Sequence, residues 1–122
     1  MNVRATRDSV AAGDDADAPH VRSFTLPDSL TSLQIVSAIV AEGYLASIIG
    51  GKATWSAVSG IPLAIVAQQW SEPRAIPWRE PQSSSLDWRE GVLCVHFNYH
   101  TQLDPELVLL VLKGLRLHAP DA

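Results

Sequence analysis

The chain has 122 residues, of which 47% are hydrophobic and 18% charged, and this composition is typical of one globular domain with a modest core. Its net charge of −4 and its two lysines, Lys52 and Lys113, argue against direct binding to nucleic acid, which needs clustered basic residues. No apolar run reaches the roughly 18 to 20 residues that cross a bilayer, no signal-peptide pattern precedes residue 20, and the single cysteine, Cys94, excludes an internal disulfide. We therefore expect a cytoplasmic protein with no membrane association.

Residues 1–19 are expected to form a flexible N-terminal tail, followed by a single α+β domain over residues 20–122. The tail combines small residues with several acids and shows no hydrophobic periodicity. The domain begins with the alternating segment 20–26, which predicts a short strand near the edge of a sheet.

A helix is predicted next. Asp28 or Ser29 is a candidate N-cap, and Thr31 with Gln34 has the spacing of a capping box. Gly43 suits the helix end, because helices commonly finish on a glycine with positive φ. The apolar residues between these limits lie on one stripe that should face the core: Leu30, Leu33, Val36, Ile39 and Val40.

Three consecutive strands are predicted after the helix, and together they make an antiparallel meander. The first covers residues 44–49 and is joined to the second, residues 52–58, by Gly50-Gly51, since a type I′ hairpin turn needs positive φ at both positions. The Ser59-Gly60 turn leads to the third strand, whose apolar run over residues 63–67 suits the centre of a sheet.

Residues 70–90 have no regular pattern and contain three of the four tryptophans. A loop of this length inside a compact domain is usually functional or disordered, and tryptophan is costly to leave in water. Trp and Arg also dominate binding hot spots. We expect this loop to contact a partner, to fold back over the sheet as a lid, or both. The predicted partner-binding residues are Trp70, Glu72, Arg74, Trp78, Arg79, Glu80, Asp87 and Trp88.

A strand over residues 92–100 is predicted from strict alternation. Leu93, Val95, Phe97 and Tyr99 should face the core, and Cys94, His96, Asn98 and His100 the other side. The second set resembles the parts of a cysteine nucleophile system, but alternate residues on a strand lie about 6.6 Å apart, whereas nucleophile and base must touch at about 3 Å. His96 and His100, about 13 Å apart, are equally unsuited to share a metal ion. No catalytic, cofactor or metal site is therefore predicted.

The last helix begins clearly, with Asp104 as N-cap and Pro105 in the first helical position. Its predicted buried face holds Leu107, Val108, Val111, Leu112 and Leu115, while Leu109, Leu110 and Leu117 fall on the opposite side. A helix that is apolar almost all round is covered by a second surface, or contributes to an oligomer or a partner contact.

These elements predict an α+β fold in the order β-α-β-β-β-loop-β-α. The sheet is expected to be mainly antiparallel, with the helices packed on one face.

The runs GGKATW, PLAIVAQQW and VHFNYHTQLDPE, within residues 43–106, resemble small bacterial immunity proteins of contact-dependent growth inhibition and related polymorphic toxin systems. The resemblance implies a cytoplasmic, non-enzymatic protein that binds one cognate antibacterial toxin, often a nuclease, and occludes its active surface. It assigns no individual toxin-contacting residue, so the predicted residues come from the loop alone.

Two other functions remain open from the sequence. Cys94 and His96 are the candidate residues of a small enzyme, and the last helix is the candidate interface of a structural homodimer. Neither alternative calls for a cofactor.

Overall fold

The computed structural model describes residues 1–76 and 85–117, the last three by their backbone alone, as a seven-stranded sheet with an α-helix on each face. In this part of the chain neither helix is long and apolar enough to cross a bilayer. The strands are β1 (Asn2–Arg7), β2 (Arg22–Thr25), β3 (Thr54–Ser59), β4 (Ile61–Ala67), β5 (Arg74–Ala75), β6 (Trp88–Arg89) and β7 (Val92–Tyr99), and the helices are α1 (Ser32–Ala41) and α2 (Pro105–Leu117).

The strands follow the order β2-β1-β7-β3-β4-β5, and β6 pairs with β7 beside its first residues. The pairing of β1 with β7 is parallel and every other pairing is antiparallel, so the expected mainly antiparallel α+β architecture is confirmed. β7 lies at the centre, because it pairs with β1 along one edge and with β3 and β6 along the other.

The N-terminal segment differs from the expected flexible tail. Residues 2–7 form β1, whose side chains Val3 and Ala5 are only 1% and 0% exposed. A short 3₁₀ helix, Ala12–Asp17, follows and returns the chain to β2. The sequence signal is weak because only two small apolar residues alternate, and the strand that buries them lies about 90 residues later in the chain.

Asp14, on the 3₁₀ helix, binds the end of β1. Its carboxylate accepts hydrogen bonds from the Arg7 guanidinium at 2.7 and 3.2 Å and from the Val10 N–H at 3.0 Å. The bond from Arg7, and then that from Val10, lowers the pKa of Asp14 from 3.8 to about 2.

We expect this ion pair to make the protein acid-sensitive in a defined window. Because the pKa of Asp14 is depressed in the folded state, its stabilising contribution is present above pH 3.8 and is lost as the pH falls to about 2. Thermal unfolding across this window should therefore show a smaller fall in Tm for Asp14→Asn than for the wild type. Parallel Tm curves for the two proteins would contradict the assignment.

The predicted helix after residue 27 is confirmed, but its N-cap is Thr31 and neither of the candidates Asp28 and Ser29. The Thr31 hydroxyl accepts a hydrogen bond from the Gln34 N–H, and the Gln34 side chain accepts one from the Thr31 N–H, which completes the capping box. Gly43 follows the helix with φ of +72°. Ile35, Val36 and Ile39 are buried, and Leu30, Leu33 and Val40 pack around them partly buried.

The strand predicted over residues 44–49 is absent from the structure. The Tyr44 ring packs against Phe24 and Phe97, and its hydroxyl donates to the carbonyl of His20, so tertiary contacts override its strand preference. Gly50-Gly51 has positive φ at both residues but makes a turn within a loop. The two-residue hairpin lies elsewhere, at Glu90-Gly91 between β6 and β7, where both φ values are also positive.

The two helices lie on opposite faces of the sheet, which corrects the expectation of one face. On β4, Ala64 and Val66 belong to the core cluster that contains α1, whereas Ile65 between them packs with Val108 and Leu109 of α2. Neighbouring residues of a strand point to opposite sides, so α1 and α2 sandwich β4.

The buried face of α2 also differs from the prediction. Val108 and Leu109 are buried and Leu112 packs partly buried beside them, while Leu107 and Val111 are exposed. The side chains of Leu115 and Leu117 lie outside the described residues. Spacing alone gives two equally good apolar stripes on this helix, so the choice between them depends on the sheet below.

Candidate functional site

The predicted Trp-rich loop is described at its two ends. Trp78, Arg79 and Glu80 lie outside the described residues. The other five predicted partner-binding residues are Trp70, Glu72 and Arg74 at the start of the loop and Asp87 and Trp88 at its end.

The start of the loop forms a stacked unit against α2. The guanidinium carbon of Arg74 lies 4.1 Å from the centroid of the Trp70 ring, and Arg74 Nη1 donates to Glu106 Oε1 at 2.6 Å. Trp70 also packs against the cluster of Val108 and Leu109 on α2. The aromatic ring, the cation and the carboxylate are thus held together at the surface.

The end of the loop is anchored to the other end of the sheet. The Asp87 N–H donates to Ser59 Oγ at 3.0 Å, and the Asp87 carbonyl accepts from the Cys94 N–H at 2.8 Å. Its carboxylate accepts two hydrogen bonds of 3.2 Å from Arg89. The Trp88 side chain is partly exposed beside this pair.

These two clusters are separate surfaces. The Trp70 N–H donates to the carbonyl of Ala67, which pairs with Thr54, whereas Asp87 is bonded to Ser59. Thr54 and Ser59 are five residues apart on β3, a separation of roughly 17 Å at the usual rise of a strand. The structure therefore does not unite the described loop residues in one site.

An exposed apolar face of α2 adjoins the stacked unit. Three of its side chains, and that of Leu103 just before the helix, are 52% to 66% exposed; the three on the helix are Leu107, Leu110 and Val111. Glu106, which binds Arg74, lies one turn before Leu110. We call these four residues together with Trp70, Arg74 and Glu106 the α2 surface. The sequence signal for it is the helix that is apolar almost all round.

A chain of hydrogen bonds crosses the polar face of the sheet. His96 on β7 lies directly opposite Thr6 on β1, and Thr6 Oγ1 is 2.7 Å from His96 Nδ1. His96 Nε2 is 2.9 Å from Asp8 Oδ1, and Asp8 Oδ2 accepts from the Tyr99 N–H. A carboxylate only accepts, so Nε2 carries the proton toward Asp8, and in the neutral ring Nδ1 accepts from Thr6.

These hydrogen bonds of His96 bear on whether Cys94 and His96 can act as a nucleophile and its base. Both ring nitrogens of His96 are bonded to other groups, and the thiol of Cys94 lies 3.9 Å from the carbonyl of Val92. The neighbouring cysteine and histidine therefore form no nucleophile–base pair. Thr6 and Asp8, the partners of His96, were missed from the sequence because they lie in the segment expected to be a tail.

A second polar pair lies on the same face. His100 Nε2 is 2.8 Å from Ser56 Oγ, and the Asn98 amide donates to the same oxygen at 3.4 Å. Burial lowers the pKa of His100, which favours its neutral form. Ser56 is buried, so this pair satisfies polar groups between the strands.

The described residues contain no group of three or more His, Cys, Asp and Glu side chains that could hold a metal ion. They do form a cavity of about 310 Å³ on the polar face, beside His96 and Thr6. The candidate surfaces are therefore the α2 surface and this cavity.

No protein-family model matches the chain, and no match was found among curated proteins or among solved structures.

Proposed function

We propose that the chain is a non-enzymatic immunity protein that binds a cognate antibacterial toxin through the α2 surface and neutralises it by covering the toxin's active surface. The observation that carries the proposal is the α2 surface itself, and the toxin is the partner that the sequence resemblance implies. This proposal gives Cys94 and His96 no catalytic role, and it is supported by the two ring nitrogens of His96, which are bonded to Thr6 and Asp8 and not to the thiol.

The composition of the α2 surface supports binding to a protein. Contiguous exposed apolar side chains on a soluble protein commonly mark an interaction site. Here they adjoin a Trp and an Arg whose geometry is already fixed by stacking and by the bond to Glu106. Preordered aromatic and arginine side chains lose little conformational entropy on binding, which makes the stacked unit a suitable hot spot.

The charges around this surface favour a basic partner. Glu72 and Asp104 are exposed and, within the described residues, neither takes part in an ion pair. The chain as a whole has 13 acidic and 9 basic residues. A toxin that acts on nucleic acid carries a basic surface. The carboxylates of the α2 region would attract that surface and form ion pairs with its lysines and arginines.

The test asks whether the protein neutralises the product of a gene that lies beside its own. We expect the wild-type protein to restore growth of bacteria that express the toxin and to copurify with it. The double variant Leu107→Asp/Leu110→Asp should lose neutralisation and weaken binding at least about a hundredfold, because two charges would have to be buried in the interface. Both side chains are exposed, so the variant should keep the wild-type circular dichroism spectrum.

Val21→Asp is the matched control. Val21 is 57% exposed, close to the exposure of Leu107 and Leu110, but it lies beside β2 at the opposite edge of the sheet. It should leave neutralisation unchanged. A wild-type protein that neither binds nor neutralises the neighbouring gene product would overturn the function, and full neutralisation by the double variant would overturn the surface.

The same surface also favours a second function, a structural subunit that forms a homodimer through α2. Exposed leucines on a helix can pack against the same face of another copy. Sedimentation at several concentrations separates the two functions. If the wild type forms a dimer and the double variant does not, the result supports a structural subunit. A concentration-independent monomer rules the subunit out.

A further inference from the structure

A cavity of about 310 Å³ opens on the polar face of the sheet, over β1, β7 and the end of β3. It lies at the opposite end of β3 from the stacked unit at Trp70, since Val58 and Gly60 contribute to its wall. The polar and ionisable side chains that line it are Arg4, Thr6, Asp87, Arg89, Cys94 and His96.

The register of the sheet places four of these side chains in one patch. Arg4 lies opposite Cys94, and Thr6 lies opposite His96, in the parallel pairing of β1 with β7. Alternate residues of a strand share a face, so all four side chains project to the same side. The bonds of His96 to Thr6 and Asp8 fix the floor of the cavity before any ligand arrives.

The charged groups of the cavity give it an excess of positive charge. The side chain of Arg4 is exposed and makes no hydrogen bond or ion pair within the described residues. Arg89 is bound to Asp87 through Nε and Nη2, and no other described residue is bonded to its Nη1. Two guanidinium groups therefore face one carboxylate, and the carboxylate of Asp8 is already shared by His96 and the Tyr99 N–H.

We propose that this cavity binds a small ligand that carries an oxyanion, a phosphate, sulfate or carboxylate group, through Arg4 and Arg89. Guanidinium groups pair with such oxygens in a planar, bidentate geometry. The volume is at the lower end of the range for small-molecule sites, so the ligand is compact. The site is independent of the α2 surface and of the function proposed for it.

Cys94 provides a direct readout, because it lines the cavity and is the only cysteine in the sequence. We expect sulfate to slow its alkylation by neutral iodoacetamide, relative to chloride at the same ionic strength. At a concentration ten times the Kd the slowing should be about tenfold, since the reagent reaches only the unoccupied protein. Acetate provides a second arm: protection by sulfate alone indicates a phosphate- or sulfate-type ligand, and protection by acetate alone a carboxylate.

Arg4→Gln should abolish the protection, whereas Lys52→Gln should retain it, because it removes the same charge from an exposed side chain outside the cavity. Amide chemical shifts of Arg4, Thr6 and His96 on titration with sulfate and with acetate give a second measurement that does not depend on the thiol. Equal alkylation rates in sulfate, acetate and chloride, with no shifts at these amides, would overturn the proposal. Equal protection of the Arg4→Gln variant would overturn it as well.

Discussion

Replacing Val3 by Asp should unfold the protein, with a loss of about 4 kcal/mol or more in the free energy of unfolding. Val3 is buried on β1 between Leu93 of β7 and Phe24 of β2, so the new carboxylate would enter the core without a partner. Urea denaturation followed by tryptophan fluorescence, to which the buried Trp55 contributes, measures the loss.

Asn2→Asp is the control for this substitution. It adds the same charge one residue away, on the same strand, but Asn2 is exposed and points to the other face of the sheet. Its free energy of unfolding should stay within about 0.5 kcal/mol of the wild type. If residues 1–19 were a flexible tail, both variants would be as stable as the wild type.

Gly60→Ala should lower the free energy of unfolding by about 2 to 3 kcal/mol. Gly60 turns the chain from β3 to β4 with φ of +70°, where a side chain is strained. A Cβ atom there would also lie 2.8 Å from the carbonyl oxygen of Ser85 and 3.5 Å from the nitrogen of Asp87. Both obstacles are backbone atoms, which cannot turn aside as a flexible side chain can.

Gly43→Ala separates the two causes. Gly43 has a nearly identical φ of +72°, but no described residue has an atom within 4 Å of the position that its Cβ would occupy. This variant should lose only the backbone component, about 1 kcal/mol. Equal losses in the two variants, measured by urea denaturation, would show that residues 85–87 do not press on the β3–β4 turn.

The elements that were predicted correctly are those whose signals are local. The capping box of Thr31 and Gln34, the glycine at position 43 and the alternation along β7 all act within a few residues. β1 could not be recognised in the same way, because what makes it a strand is its pairing with β7. The strand predicted from Tyr44 onward was wrong for the opposite reason, because a long-range aromatic contact overrode the local preference of that segment for a strand.

The same difference between local signals and long-range contacts separates the two candidate surfaces. Trp70 and Arg74 were predicted from residue type, and the structure brings them together with Glu106, a residue that the prediction did not include. The cavity was not foreseen at all. Arg4 and Thr6 lie beside Cys94 and His96 only because a parallel pairing joins two strands that are about 90 residues apart in the sequence, and no local sequence pattern predicts that pairing.

The central position of β7 has a consequence for the order of folding during synthesis. Until β7 has left the ribosome, the chain can form only two separate groups of the described strands, β1 with β2, and β3 with β4 and the two-residue β5. Two-stranded pairs are marginally stable in water. β7 then inserts between them and closes both open edges at once. A chain that stops before residue 92 would keep those edges unpaired, and unpaired edges recruit strands from other molecules, so the nascent protein is most prone to aggregate before β7 has paired.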